Sequence, residues 1–394
     1  MMGEIQKVAF ALLRYALCAT EISQEVRELI TGERLEQVYQ LLKMHDLAHL
    51  GYDGLVSLKD NKLSNTGVYE QFKRQQQFAV YRYEQKIYEY EQICAAFEDA
   101  KIPYLPLKGA VIKAYYPQEW MRTSCDIDIL VQADALGRAV EIIKDKLHYR
   151  LEGNHSHELS SFAENGVHLE LHYDLLEDYL TAVNAKILSS YWNTATPVRE
   201  GGYEYAASPE IFYFYHIAHM AKHFENGGCG VRSFMDLWLM ECNLRLDEEK
   251  KRDLLEQGHM TLFAQTSSRV AKIWFENEKH DELTQRVEEY VLSGGVYGNM
   301  ENRMALEHSR YKEGKFRYVM RRIFLPYKYI KWQYPILQKH KWLTPLYEVR
   351  RWGRLIFKGR LKSSVKEMRT ISALEEERKR DLAKLLRDVG LTDK

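Results

Sequence analysis

The sequence predicts an α+β protein, with a small mixed β-sheet and extensive helical N-terminal and C-terminal parts. Three observations carry this expectation. Apolar residues recur at helix spacing before residue 100, most clearly in one long run from about 68 to 100. Strand signals cluster between about 101 and 175, in an αβαββ order that implies a small sheet covered by helices. Beyond about 180 the strand signal stops, apart from Tyr203–Ala206, and helical patterns return.

Within residues 1–60, Leu35, Val38, Leu41, Leu42, Leu47 and Leu50 keep a helical period, and Gly51, Gly54 and 61–65 are expected to break it. The 68–100 helix carries Tyr81, Tyr83, Ile87, Tyr90, Ile93, Ala96 and Phe97 as a stripe suited to core packing. Pro103 and Pro106 exclude helix and introduce a strand into Lys108–Gly109. A short helix follows over 110–116, ended by Pro117, then a strand at 127–131 and a helix over 135–147. Strands are expected at 149–151 and 157–162, with Glu164–Asn165–Gly166 as a hairpin turn into Val167–His172. Ser208–Pro209–Glu210 is a helix start, with a capping serine, a first-turn proline and an acid near the positive helix end. Helices are further expected over 232–242, 247–256, 260–277, 281–292 and 363–390. The expected regions are helical 1–100, an α/β core at 101–200, helical 201–310, and a basic, aromatic-rich helical 311–394.

Composition narrows the classes. The 394 residues are 45% apolar and 28% charged, as in a globular chain long enough for two or three domains. Lys+Arg and Asp+Glu each number 56, so net charge points to no partner. Five scattered cysteines without a C-x-x-C pair argue against a disulfide framework or zinc knuckle, and fit a reducing, cytoplasmic setting. Arg14 interrupts the early apolar run, and no stretch approaches the roughly 18–20 residues of a membrane span.

The chemistry concentrates in Leu105–Gly109, Arg122 and Cys125–Val131. On a strand, residues i and i+2 share a face, so Asp126 and Asp128 project together while Ile127, Ile129 and Val131 bury the other side. Two carboxylates so placed repel each other and lose solvation unless a cation neutralises them. The alternating Val167–His168–Leu169–Glu170–Leu171–His172 adds a third acid, Glu170, on a polar strand face. Three converging carboxylates can hold two Mg²⁺ ions, which take oxygen ligands and share them with phosphates. Gly109 at a helix mouth would let backbone amides approach a phosphate. Lys108 and Arg122 are candidate cations for that anion, the alternative being a salt bridge for each, with one of the aspartates in the case of Arg122. His168 and His172 read as hydrogen-bonded neighbours of the acids rather than ligands. The plain alternative for the acids is a solvated strand end.

The pattern P-L-K-G, then R-x-x-x-D-I-D-I-L-V, then V-H-L-E-L-H resembles the polymerase-β-like nucleotidyltransferase superfamily. More closely it is similar to its uncharacterised bacterial nucleotidyltransferase branch, with H-I-A-H, R-S-F-M-D and Gly298 extending the resemblance over about 35 to 355. The resemblance implies transfer of a nucleoside monophosphate from an NTP to an unknown acceptor, a small molecule first, RNA or protein otherwise. It further implies Mg²⁺ or Mn²⁺ on Asp126, Asp128 and Glu170, with Glu170 available as base. Lys108–Gly109 departs from the superfamily's small-residue pair, and the spacing from Gly109 to Asp126 is longer than usual. A catalytically inactive module binding a nucleotide or phosphorylated ligand is the alternative.

His219 and His223 have the i, i+4 spacing of a zinc pair, but Met220 replaces the glutamate of a zinc protease. With His216 they read as core packing, or as a face over the cleft beside Arg232 and Asp236. The basic aromatic stretch with Arg317, Arg321, Arg322, Lys328, Lys331, Trp332, Lys339, Lys341, Trp342, Arg350 and Arg351 reads as a helical appendage broken by Pro326, Pro335 and Pro345. Base stacking on its Tyr and Trp rings is the nucleic-acid alternative.

Overall fold

The computed structural model describes residues 3–154, 157–175, 182–311, 324, 327, 330–331, 334, 336–357 and 376–391. Five strands form one sheet: β1 (Tyr104–Pro106), β2 (Asp126–Val131), β3 (Arg150–Asn154), β4 (Glu158–Phe162) and β5 (His168–His172), in the order β1-β2-β5-β4-β3. Only β2 and β5 run parallel; the other pairs are antiparallel. The expected α+β architecture with a small mixed sheet is therefore present.

Alternation divides the sheet by chemistry. Ile127, Ile129 and Val131 of β2 join Leu169 and Leu171 of β5 against Ile93 and Phe97 of the long helix Gly67–Asp99, Ala139 of the helix Leu136–Glu141 and Ile143 of the turn that continues it. The other face carries Asp126, Asp128, Glu170, His172 and Glu158. Leu130, two residues beyond Asp128, enters a second core with Leu105, Leu107 and the helices around the sheet. That core runs continuously from Val8 through Phe214 and Trp274 to Leu391. The polar face is thus closed by helices at one end and left for chemistry at the other.

Several helix expectations hold. Ser208 caps Pro209–Glu225, its hydroxyl accepting from the Ile211 amide. Val231–Asn243, Glu248–Gln257, Thr261–Glu276 and Glu282–Leu292 lie where periodicity placed them. Gly51 and Gly54 do not break the N-terminal pattern; both sit inside the helix Ala48–Ser57. A Cβ there would come within 2.6 Å of the Phe72 ring and 2.8 Å of Leu12. Glycine is used for close helix packing rather than for a turn. Asn61–Ser64 forms a short helix capped by Asp60. Tyr81, expected in the long helix's buried stripe, is 59% exposed.

In the basic segment, Pro345 begins a helix, Thr344–Phe357, instead of breaking one, as a proline in the first turn can. Trp342 is 76% exposed. Arg317, Arg321, Arg322, Lys328 and Trp332 lie outside the described residues, as do 363–375 of the expected last helix; its remainder is Glu376–Asp388. The five cysteines are free thiols. Among the described residues no helix is long and apolar enough to cross a membrane.

Candidate active site

The parallel β2–β5 register sets Asp128 opposite Glu170 and Asp126 opposite His168. The antiparallel β4–β5 register sets Ser160 opposite Glu170 and Glu158 opposite His172. Asp126, Asp128 and Glu170 therefore meet on one face. Donor atoms of Asp126, His168 and Glu170 lie within 4.8 Å of one another, and so do those of Asp128, Glu170 and His172.

Crowding sets the charge states. Burial, reinforced by the charges of Asp128 and Asp126, pushes the Glu170 carboxyl up to about 8. Burial and the Asp128 charge also raise Asp126. Burial would raise Asp128 too, but Lys108 and His172 hold it well below the usual carboxylate range. Lys108 Nζ donates to Asp128 Oδ1 at 2.7 Å, and His172 Nε2 stands 2.9 Å from the same oxygen. His168 is engaged by Ser160 at 2.7 Å. His172 is thus hydrogen-bonded to an acid and His168 to a serine.

Lys108 settles as a salt bridge and is the strained residue of the turn. Its φ of +44° and ψ of −118° lie where an L side chain rarely goes. The Leu107 amide donates to the Asp128 carbonyl at 3.0 Å, tying the turn to β2, and the backward twist at Lys108 lets its side chain return to Asp128. Such strain costs on the order of 1–3 kcal/mol and collects at functional sites. Gly109 serves packing instead: a Cβ there would stand 2.9 Å from Arg122 Nη1. The amides of Ala110, Val111 and Ile112 are taken by the Leu107 and Lys108 carbonyls. An anion at this turn would meet at most the amides of Lys108 and Gly109.

Arg122 pairs with neither site aspartate. Its guanidinium grips Asp236 of the Val231–Asn243 helix, Nε at 3.1 Å and Nη2 at 2.7 Å, while Tyr116 donates to Asp236 at 2.6 Å. Burial opposes both charges, yet each holds the other ionised, so Asp236 stays low and Arg122 high. Arg122 thereby braces the segment before β2. Arg232 does the same from Asp46 and the Thr123 carbonyl, at 3.0 and 2.9 Å. The rings of Tyr215, His219, His223 and Tyr297 follow one another from the Pro209–Glu225 helix outward, and Tyr297 is 63% exposed. Burial, with His223 and Lys108 nearby, keeps His219 well below its ordinary pKa. His216 is bonded to the Ser233 carbonyl.

Three residues escaped sequence reasoning. Lys86 of the long helix donates at 2.7 Å to both the carbonyl and hydroxyl of Ser124, and burial pulls it down to about 8. It lines a small cleft of about 40 Å³ with Gly109, Arg122 and Asp126. His157 and Glu158 stand beside His172. Counting outward from the 164–166 turn would have paired Glu158 with His172; nothing local marks Lys86.

The profile of a family described as uncharacterised nucleotidyltransferase matches residues 31–276, short of the 355 that the resemblance reached. No curated protein matches the chain. Two solved structures of the antibiotic-resistance factor ANT(2'')-Ia are similar at low levels. Its solution structure is 16% identical with a TM-score of 0.33, covering 50% of this chain and 99% of that one. Its crystal structure in complex with adenylyl-2''-tobramycin is 13% identical with a TM-score of 0.27, covering 49% and 98%.

Proposed function

The chain belongs to the uncharacterised nucleotidyltransferase family, and from this premise we propose that it transfers a nucleoside monophosphate from an NTP to a small-molecule acceptor, dependent on Mg²⁺ or Mn²⁺. One observation supports this most: the β2–β5 register that aligns Asp128 with Glu170 beside Asp126. The donor sets fit a hard dication in their oxygens: Glu170 converges with Asp126 in one group and with Asp128 in another, each with a histidine nitrogen beside the two carboxylates. Asp126, Asp128 and Glu170 would hold it. Bound there, the ion would neutralise the triphosphate and the departing pyrophosphate.

The chain's own groups have assignable tasks. Lys108 can shift from Asp128 to a phosphate oxygen once another cation balances that carboxylate. His172 holds Asp128 in orientation from behind. Glu170 is available to accept the proton of an acceptor hydroxyl. Arg122 and Arg232 act on the scaffold, fixing 122–124 so that β2 enters the site in register.

The test is pyrophosphate release from each NTP with Mg²⁺ over a panel of hydroxylated acceptors. Release that disappears in Asp126→Asn and in Asp128→Asn is the expected result. Release unchanged in both variants overturns the assignment. Metal-dependent NTP binding by calorimetry with no release on any acceptor would establish the inactive binding module instead.

A further inference from the structure

A second cluster lies on the far side of His172 from Asp128. Glu158 faces His172 across the β4–β5 pair, and the His157 carbonyl accepts from the Tyr173 and Asp174 amides at 3.0 and 3.2 Å. His157 is thereby fixed beside the end of β5. Glu158 Oε2 stands 3.4 Å from His157 Nε2 and 3.6 Å from His172 Nδ1. Glu158 accepts a long hydrogen bond from His157, and both separations exceed the roughly 2.7–2.9 Å of a strong charge-assisted one. They match instead the edge of a coordination tetrahedron: donors about 2.0–2.1 Å from a Zn²⁺-type ion stand roughly 3.3–3.4 Å apart.

The buried ring of His172 supplies an independent observation. It is 2% exposed, and its Nδ1 has no hydrogen-bond partner, whereas buried ring nitrogens ordinarily find one. Its other nitrogen, Nε2, faces the acceptor oxygen of Asp128 at 2.9 Å. In the neutral ring the proton therefore belongs on Nε2, and Nδ1 presents a lone pair toward Glu158. A metal-ligating histidine typically has this arrangement, with its second nitrogen donating to a carboxylate that fixes the tautomer.

We propose that His157, Glu158 and His172 form a binding site for a divalent transition-metal ion of the Zn²⁺ class. Two imidazoles and one carboxylate suit such an ion, whereas Mg²⁺ favours the all-oxygen set of Asp126, Asp128 and Glu170. The two sites are joined through one ring: Nδ1 of His172 takes the transition metal and Nε2 orients Asp128. The inference rests on the β4–β5 geometry and stands independently of the transfer reaction.

The experiment uses the full chain, stripped of metal and titrated with Co²⁺ in saturating Mg²⁺, so that the carboxylate cluster is held by the hard ion. One equivalent of Co²⁺ should give visible ligand-field bands that Zn²⁺ abolishes. His157→Gln and Glu158→Gln should each weaken Co²⁺ binding tenfold or more, while Asp126→Asn retains the bands. The near-isosteric Glu158→Gln decides the matter should His157→Gln fail to fold, with circular dichroism run on each variant. Bands unaffected by either substitution, bands lost only in Asp126→Asn, or no stoichiometric uptake would each overturn the site. Bands that persist in a protein releasing no pyrophosphate would refute the transfer reading and leave this site standing.

Discussion

Two buried cation–carboxylate pairs lie on either side of the turn that enters β2, and they are built to opposite ends. Arg122–Asp236 and Lys108–Asp128 both close to 2.7 Å. Arg122 presents a fork to both Asp236 oxygens, and Tyr116 donates to one of them, so charge and hydrogen bonding balance within the pair. Lys108 presents a single ammonium to a face that also holds Asp126, Glu170 and Glu158. That face crowds more acids than Lys108 can balance, and burial with mutual repulsion raises Asp126 and Glu170 toward their neutral forms. Equal distances conceal the distinction; the ratio of charges reveals it. A balanced pair braces, and an unbalanced one has capacity for a metal ion or a triphosphate.

The comparison breaks first at the acids. Asp126→Asn removes a ligand to an ion worth several kcal/mol in the transition state, and turnover should fall about a thousandfold. Because the same change relieves repulsion on the crowded face, the melting temperature without divalent ions should not drop. A marked loss of stability would mean that Asp126 is structural. The converse holds across the turn. Arg122→Met strands Asp236 without its partner in the interior, and should cost about 3–5 kcal/mol in urea unfolding. An undisturbed urea midpoint would remove the distinction between the pairs.

The smallest effect is the most diagnostic. Glu170 titrates near 8 in the fold against an ordinary 4.5, so its neutral form is the one the folded state favours. That contribution is fully present below 4.5 and is lost as pH rises toward about 8. Cation-free wild-type protein should therefore lose stability over this interval relative to Glu170→Gln. Saturating Mg²⁺, which requires the ionised form, should flatten the difference. Parallel stability profiles for the two proteins would show that Glu170 is not crowded by Asp126 and Asp128.

Much of this was legible in residue order. The two-residue period of Asp126–Val131 and Val167–His172 marked which side chains would share the polar face, because alternation is a local property of extended backbone. The Ser208 cap and the helices after it were readable for the same reason. The long helix was found in type and extent, but not the exposure of Tyr81, which depends on what the rest of the chain packs against it.

What the sequence determined by itself is the inventory of the face: Asp126, Asp128, Glu170 and the lysine before Gly109. Tertiary structure alone decided how that inventory is partnered. Asp236, more than a hundred residues on, pairs with Arg122, which residue order alone had set beside the phosphate turn. The positive φ at Lys108 follows from Leu107 being tied to Asp128, and the packing of Gly51 and Gly54 follows from helices that cross them. His157 and Glu158 acquired meaning only when β4 paired with β5. The physical reason is common to all four: periodicity fixes the side of an element a residue occupies, whereas charge balance and close approach depend on what another part of the chain brings to it.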